Sequence, residues 1–72
     1  MSAIVAIGEP ALIEGYALAG VDLLPAEGAD EVRRAWESLV RTTGLVILTA
    51  AAAAHLGDEL AREMPLTVVM PI

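Results

Sequence analysis

His55, Asp58 and Glu59 are the residues whose spacing first suggests chemistry. An imidazole with carboxylates three and four positions on shares one side of a helix and could hold a divalent cation weakly. A solvated helix face with an i, i+4 hydrogen bond explains the same spacing and is the preferred reading. Glu9 and Glu14 form a second acid pair, but acids at a helix start simply favour its dipole. Gly8, Gly15 and Gly20 lie too far apart for a GxGxxG phosphate loop, and the chain has no lysine for a Walker motif. Glu9-Pro10 would repel an anion at the first helix start and removes one amide donor there. The absence of cysteine excludes disulfides and thiolate metal sites. The sequence therefore offers no catalytic, cofactor-binding or metal-ligating residue.

The elements that would position any such group are clearer. Ala3-Ile4-Val5-Ala6-Ile7 is an unbroken apolar run that suits a strand buried on both faces of a parallel sheet. Val21–Leu24, Leu45–Thr49 and Leu66–Met70 read as three further short strands. Between them the period becomes helical. Pro10 opens a helix through Ala19, with Leu12, Tyr16 and Ala19 on one apolar face, and Gly20 lies just past its end. Gly15 inside it suggests close approach of another backbone, or a local bend.

Asp30 can cap the second helix, in which Val32, Ala35, Trp36, Leu39 and Val40 fall at i, i+3, i+4, i+7 and i+8. Glu37 and Arg41 form an i, i+4 pair on its wet side. Thr49 can cap a third helix that starts in the Ala50–Ala54 run, continues with Leu56, Leu60 and Met64, and stops at Pro65. The order β-α-β-α-β-α-β predicts an α/β fold. Its four-stranded parallel sheet has order 2-1-3-4, with three helices packed on both faces. Residues 1–72 are expected to form a single small domain.

In such a sheet ligands bind beyond the carboxyl ends of the strands. Those ends supply Gly8, Glu9, Leu24, Pro25, Thr49, Ala50, Pro71 and Ile72, a poor catalytic rim without histidine, cysteine, lysine or serine. A phosphoacceptor module would need clustered carboxylates after the first strand and an aspartate at the end of the third. Glu9 stands alone, and Thr49 holds the other place.

Composition argues for a partner. Hydrophobic residues are 57% of the chain, against about 45–50% in an average soluble domain. A domain this small buries only about 60% of its unfolded surface, so part of that apolar excess is expected to lie against another protein. A net charge of −6 works against nucleic acid or an anionic membrane. Thr42 to Leu56, the longest charge-free run through the middle, is too short to span a bilayer and contains Gly44 and His55. No basic signal peptide opens the chain, and a cytoplasmic location is expected.

Ile7-Gly8-Glu9 followed by Gly15-Tyr16-Ala17-Leu18-Ala19-Gly20-Val21 resembles the opening of the F subunit of V-type and archaeal-type rotary ATPases. Leu45-Val46-Ile47-Leu48-Thr49 resembles the family's third strand, and Pro65-Leu66-Thr67-Val68-Val69-Met70-Pro71 its proline-bracketed fourth. The resemblance implies a small parallel sheet with flanking helices and a non-catalytic central-stalk (rotor) subunit without cofactor. Its implied partner is the coiled-coil shaft subunit, with the catalytic head as a second candidate. The implied location is cytoplasmic, peripheral to the membrane within a proton- or sodium-translocating ATPase or ATP synthase. Family members usually continue into a C-terminal arm, whereas this sequence stops at Ile72; a short form or a truncation is expected. Leu12, Tyr16 and Trp36 are the candidate partner-binding side chains, although Trp36 at a core-facing helix position is more often packing. The alternative is a stand-alone receiver-like regulatory or small-ligand-binding domain.

Overall fold

The apolar run at the start of the chain becomes the strand around which the sheet assembles. The fold, obtained as a computed structural model, describes residues 3–39, 43–57 and 66–70. Strands β1 (Ala3–Gly8), β2 (Asp22–Pro25), β3 (Thr43–Leu48) and β4 (Leu66–Val69) form one sheet of order β2-β1-β3-β4. Every pairing is parallel, with Ile7 beside Leu24 and Leu48, and Leu48 beside Val69. This is the topology the sequence predicts. The helices are α1 (Pro10–Ile13), extended by a 3-10 turn over Glu14–Ala19, then α2 (Ala29–Glu37) and α3 (Ala50–Leu56).

Side chains alternate across each strand, so the two faces of the sheet can be read separately. Val5 and Ile7 of β1 and Val46 and Leu48 of β3 share one face. There they pack with Val32 and Trp36 of α2 and with Ala52 and Leu56 of α3. Each large side chain buried here contributes about 2 kcal/mol. The short alanine side chains of α3 let that helix lie close, and α2 and α3 touch each other. Segment α1 contacts β1 and β2 instead. Ile13, fully buried, lies outside the α2–α3 cluster. Right-handed crossovers account for this split: α1 covers one face, α2 and α3 the other.

Four local readings need correction. The first helix is not one α-helix to Ala19. It tightens to a 3-10 turn after Ile13 and ends where Gly20 takes a left-handed φ of 81°. Gly15 lies at that change of winding, and a Cβ added to it would meet nothing within 4 Å, so no backbone approaches it. The apolar face is also turned: Ile13 is buried while Leu12 and Ala19 are exposed. At α2 the cap position is Gly28 rather than Asp30, and the Glu27 N–H donates to Glu31 Oε1 at 2.9 Å. Asp30 lies inside the first turn, where its charge suits the dipole. The expected extension of α3 through Leu60 and Met64, the Glu37–Arg41 pair and the contribution of Val40 lie outside the described residues.

Candidate functional site

Two places on this framework bear on function: the carboxyl edge of the sheet and the exposed apolar surface. At the carboxyl edge, chain direction reverses between β1 and β3, since β1 leads outward to β2 while β3 leads to β4. This is the switch point at which open α/β sheets bind ligands. Register carries Gly8-Glu9 and Thr49 to adjacent positions, because Ile7 pairs with Leu48.

That crevice is closed. The Thr49 hydroxyl donates to Glu9 Oε1 at 2.6 Å and accepts from the Ala52 N–H at 3.3 Å, so it caps α3 as the sequence predicts. Backbone bonds tie the strands together at the same end. Thr49 N–H donates to the Ile7 carbonyl at 3.2 Å, Ala26 N–H to the Gly8 carbonyl at 2.8 Å, and Met70 N–H to the Leu48 carbonyl at 2.7 Å. Thr49 is only 1% exposed, which denies its hydroxyl to a substrate. Gly8 completes the closure, since a Cβ there would overlap the Thr49 side chain. No buried side-chain polar atom lacks a partner among the described residues.

Electrostatics follow the geometry. The hydrogen bond from Thr49 holds the Glu9 carboxyl below the usual glutamate range; its own backbone N–H adds to this, and His55 contributes weakly. Partial desolvation opposes the shift. A group with a depressed folded-state value stabilises the fold above its ordinary value and loses that contribution as pH falls through the folded one. Thr49→Ala should therefore cost about 1 kcal/mol near neutrality through the lost cap, together with the loss of the Glu9 bond. The gap from wild type should narrow as pH drops below the ordinary glutamate value of 4.5. Thr49→Ser keeps both bonds and should stay close to wild type. Urea titrations at several pH values check all three outcomes.

The remaining sequence candidates are dispersed. No group of three metal-ligating side chains occurs among the described residues, and Asp58 and Glu59 lie outside them. Glu14 is exposed in the 3-10 turn, separate from the Glu9–Thr49 bond. Among the three proposed anchors, Leu12 is 54% exposed and Tyr16 is half-buried, both on the α1 segment. Trp36 is 7% exposed and belongs to the α2–α3 core, across the sheet from them. The packing reading fits Trp36. Sequence reasoning passed over the most exposed large hydrophobic among the described residues, Leu18 at 96%, and over Ile4 and Val68 at 41% and 49%. Nothing in their neighbours' types marks them, since exposure here depends on which helix covers which strand.

Fold and site together define a class: a small doubly wound parallel sheet whose ligand-binding crevice is filled by its own side chains. Within that class the chain belongs to the family of ATP synthase (F/14-kDa) subunits, whose sequence profile matches residues 4–72. It is an accessory component of an ATP synthase, and ion transport is the business of that complex. Among solved structures it is similar to the F subunit of the V-type ATP synthase of Archaeoglobus fulgidus, with a TM-score of 0.69 and 20% sequence identity. That likeness covers 97% of this chain and 98% of the other, and it shows the shared fold. No curated protein sequence matches. No helix among the described residues is long and apolar enough to cross a membrane.

Proposed function

We propose that this chain is a non-catalytic subunit of the central stalk of a V/A-type ion-translocating ATP synthase or ATPase. In this reading it docks on the coiled-coil shaft subunit, stays peripheral to the membrane and faces the cytoplasm. The observation that carries the proposal is the family match over residues 4–72. The closed carboxyl edge supports a docking role over a catalytic one, because Glu9 and Thr49 occupy each other where a ligand would sit. Leu12, exposed, and Tyr16, half-buried, are the anchors in this reading, both on the α1 segment, and Trp36 serves stability.

The test is capture of the shaft subunit by the tagged protein in its native host, read by mass spectrometry. Recovery of shaft and head subunits is the expected result; recovery of the protein alone sinks the reading. Leu12→Ala should weaken shaft binding about tenfold while moving the melting temperature little. Trp36→Ala should do the opposite, lowering the melting temperature and sparing the affinity of the folded fraction. Equal losses at Leu12 in both measurements would remove it as an anchor.

A further inference from the structure

An interior strand of a covered sheet has no reason to expose an isoleucine, yet Ile4 of β1 is 41% exposed. Its position explains this. Ile4 pairs with Leu45, which pairs with Leu66; one step along the same face, Ala6 pairs with Ile47 and Ile47 with Val68. These two cross-strand rows lie on the face opposite α2 and α3. Ala6 is fully buried on this face, whose helical cover α1 lies mainly against β1 and β2. Farther across, Leu45 and Ile47 are half-buried and Val68 is 49% exposed. Among the described strand residues on the α2–α3 face, the exposed large hydrophobic side chain is Val69, on the edge strand, which any sheet leaves open.

We infer that the β1-β3-β4 part of this face is the seat of one α-helix from a partner protein, a helix with an apolar stripe flanked by cationic side chains. The inference rests on the shaft-docking reading and adds which surface docks and what chemistry it meets. The occupant is a helix because a half-covered sheet face is completed by a helix as its missing layer. The flanking charge follows from the surroundings. Glu14 is exposed in the 3-10 turn on this layer, and Glu9 lies where β1 leaves the sheet, whereas the cations among the described residues, Arg33 and Arg34, belong to α2 on the far side. A chain of net charge −6 with an exposed acid on the same layer as the apolar strip attracts a basic partner and repels a second copy of itself.

The chain contains no cysteine, so single thiols report this surface without background. Ile4→Cys and Val68→Cys place a thiol on the strip; Ala51→Cys, exposed on α3, is the control. Each variant is alkylated alone and with the purified shaft subunit in about tenfold excess over its dissociation constant. Alkylation at positions 4 and 68 should then slow about tenfold, matching the bound fraction, and be unchanged at position 51. Added salt should weaken the protection, and Glu14→Lys should weaken binding several-fold.

A complex that forms while thiols 4 and 68 stay reactive overturns the inference and leaves the stalk assignment standing. No complex with the wild type overturns the stalk reading and this inference with it. Protection that rises with protein concentration in the absence of the shaft would identify a second copy as the occupant, against the proposal.

Discussion

Gly8→Ala should destabilise the protein by about 2–3 kcal/mol, the range for forcing a methyl group into a filled interior. The added Cβ would lie 2.5 Å from Thr49 Oγ1 and 2.9 Å from Thr49 Cβ, and it would overlap the Thr49 methyl. Thr49 cannot swing aside cheaply, because its hydroxyl is tied both to Glu9 and to the first turn of α3. A chain of 72 residues has a total stability of about 4–11 kcal/mol, so this single methyl is a large fraction of it. The Thr49→Gly background separates crowding from any other effect. It removes all three contacted atoms, so Gly8→Ala should cost at least about 1 kcal/mol less there than in the wild type. Urea midpoints of the four proteins give the coupling. Additive losses would mean that Thr49 is not what confines position 8.

Ile13→Ala should cost about 2–4 kcal/mol, while Leu12→Ala, one residue away, should stay within about 0.5 kcal/mol of wild type. Ile13 is the buried residue of α1 and has no exposed surface. Without it the α1 segment loses its main hold on the sheet. Leu12 is 54% exposed and loses little that the fold depends on. Thermal melts of the two variants decide the matter, since reversed magnitudes would mean that α1 is rotated from the orientation described.

That pair also marks where the sequence could be read and where it could not. β1 was legible because an interior parallel strand needs continuous apolar residues, and Ala3–Ile7 supplies them. Strand order followed from the same composition. The rotation of α1 was not legible. A period of 3.6 puts Leu12, Tyr16 and Ala19 on one side, but the chain leaves Glu9 with a ψ of 132° and tightens to a 3-10 turn from Glu14, which shortens the repeat. Trp36 and Val32 were predicted inside and are inside, because α2 is regular through both.

At the candidate site, Thr49 as a cap was visible from its place between a strand and an alanine run. Its bond to Glu9, 40 residues away, was not. Two polar residues at the ends of β1 and β3 each look like poor chemistry when taken alone. Only the pairing of Ile7 with Leu48 brings them together, and register between parallel strands is set by tertiary packing rather than by local pattern.

The strand order also governs how the molecule comes into being. β1 is made first, yet its place between β2 and β3 cannot be filled until residues through Leu48 exist. Until then its apolar run has a neighbour on one edge at most. Closing that separation costs chain entropy before any pairing repays it, which slows folding relative to helical proteins of the same length. An apolar strand waiting with an open edge is also the part of a nascent chain most prone to pair with the wrong neighbour. The residues that make β1 the centre of the finished sheet thus make it the segment most in need of protection during synthesis.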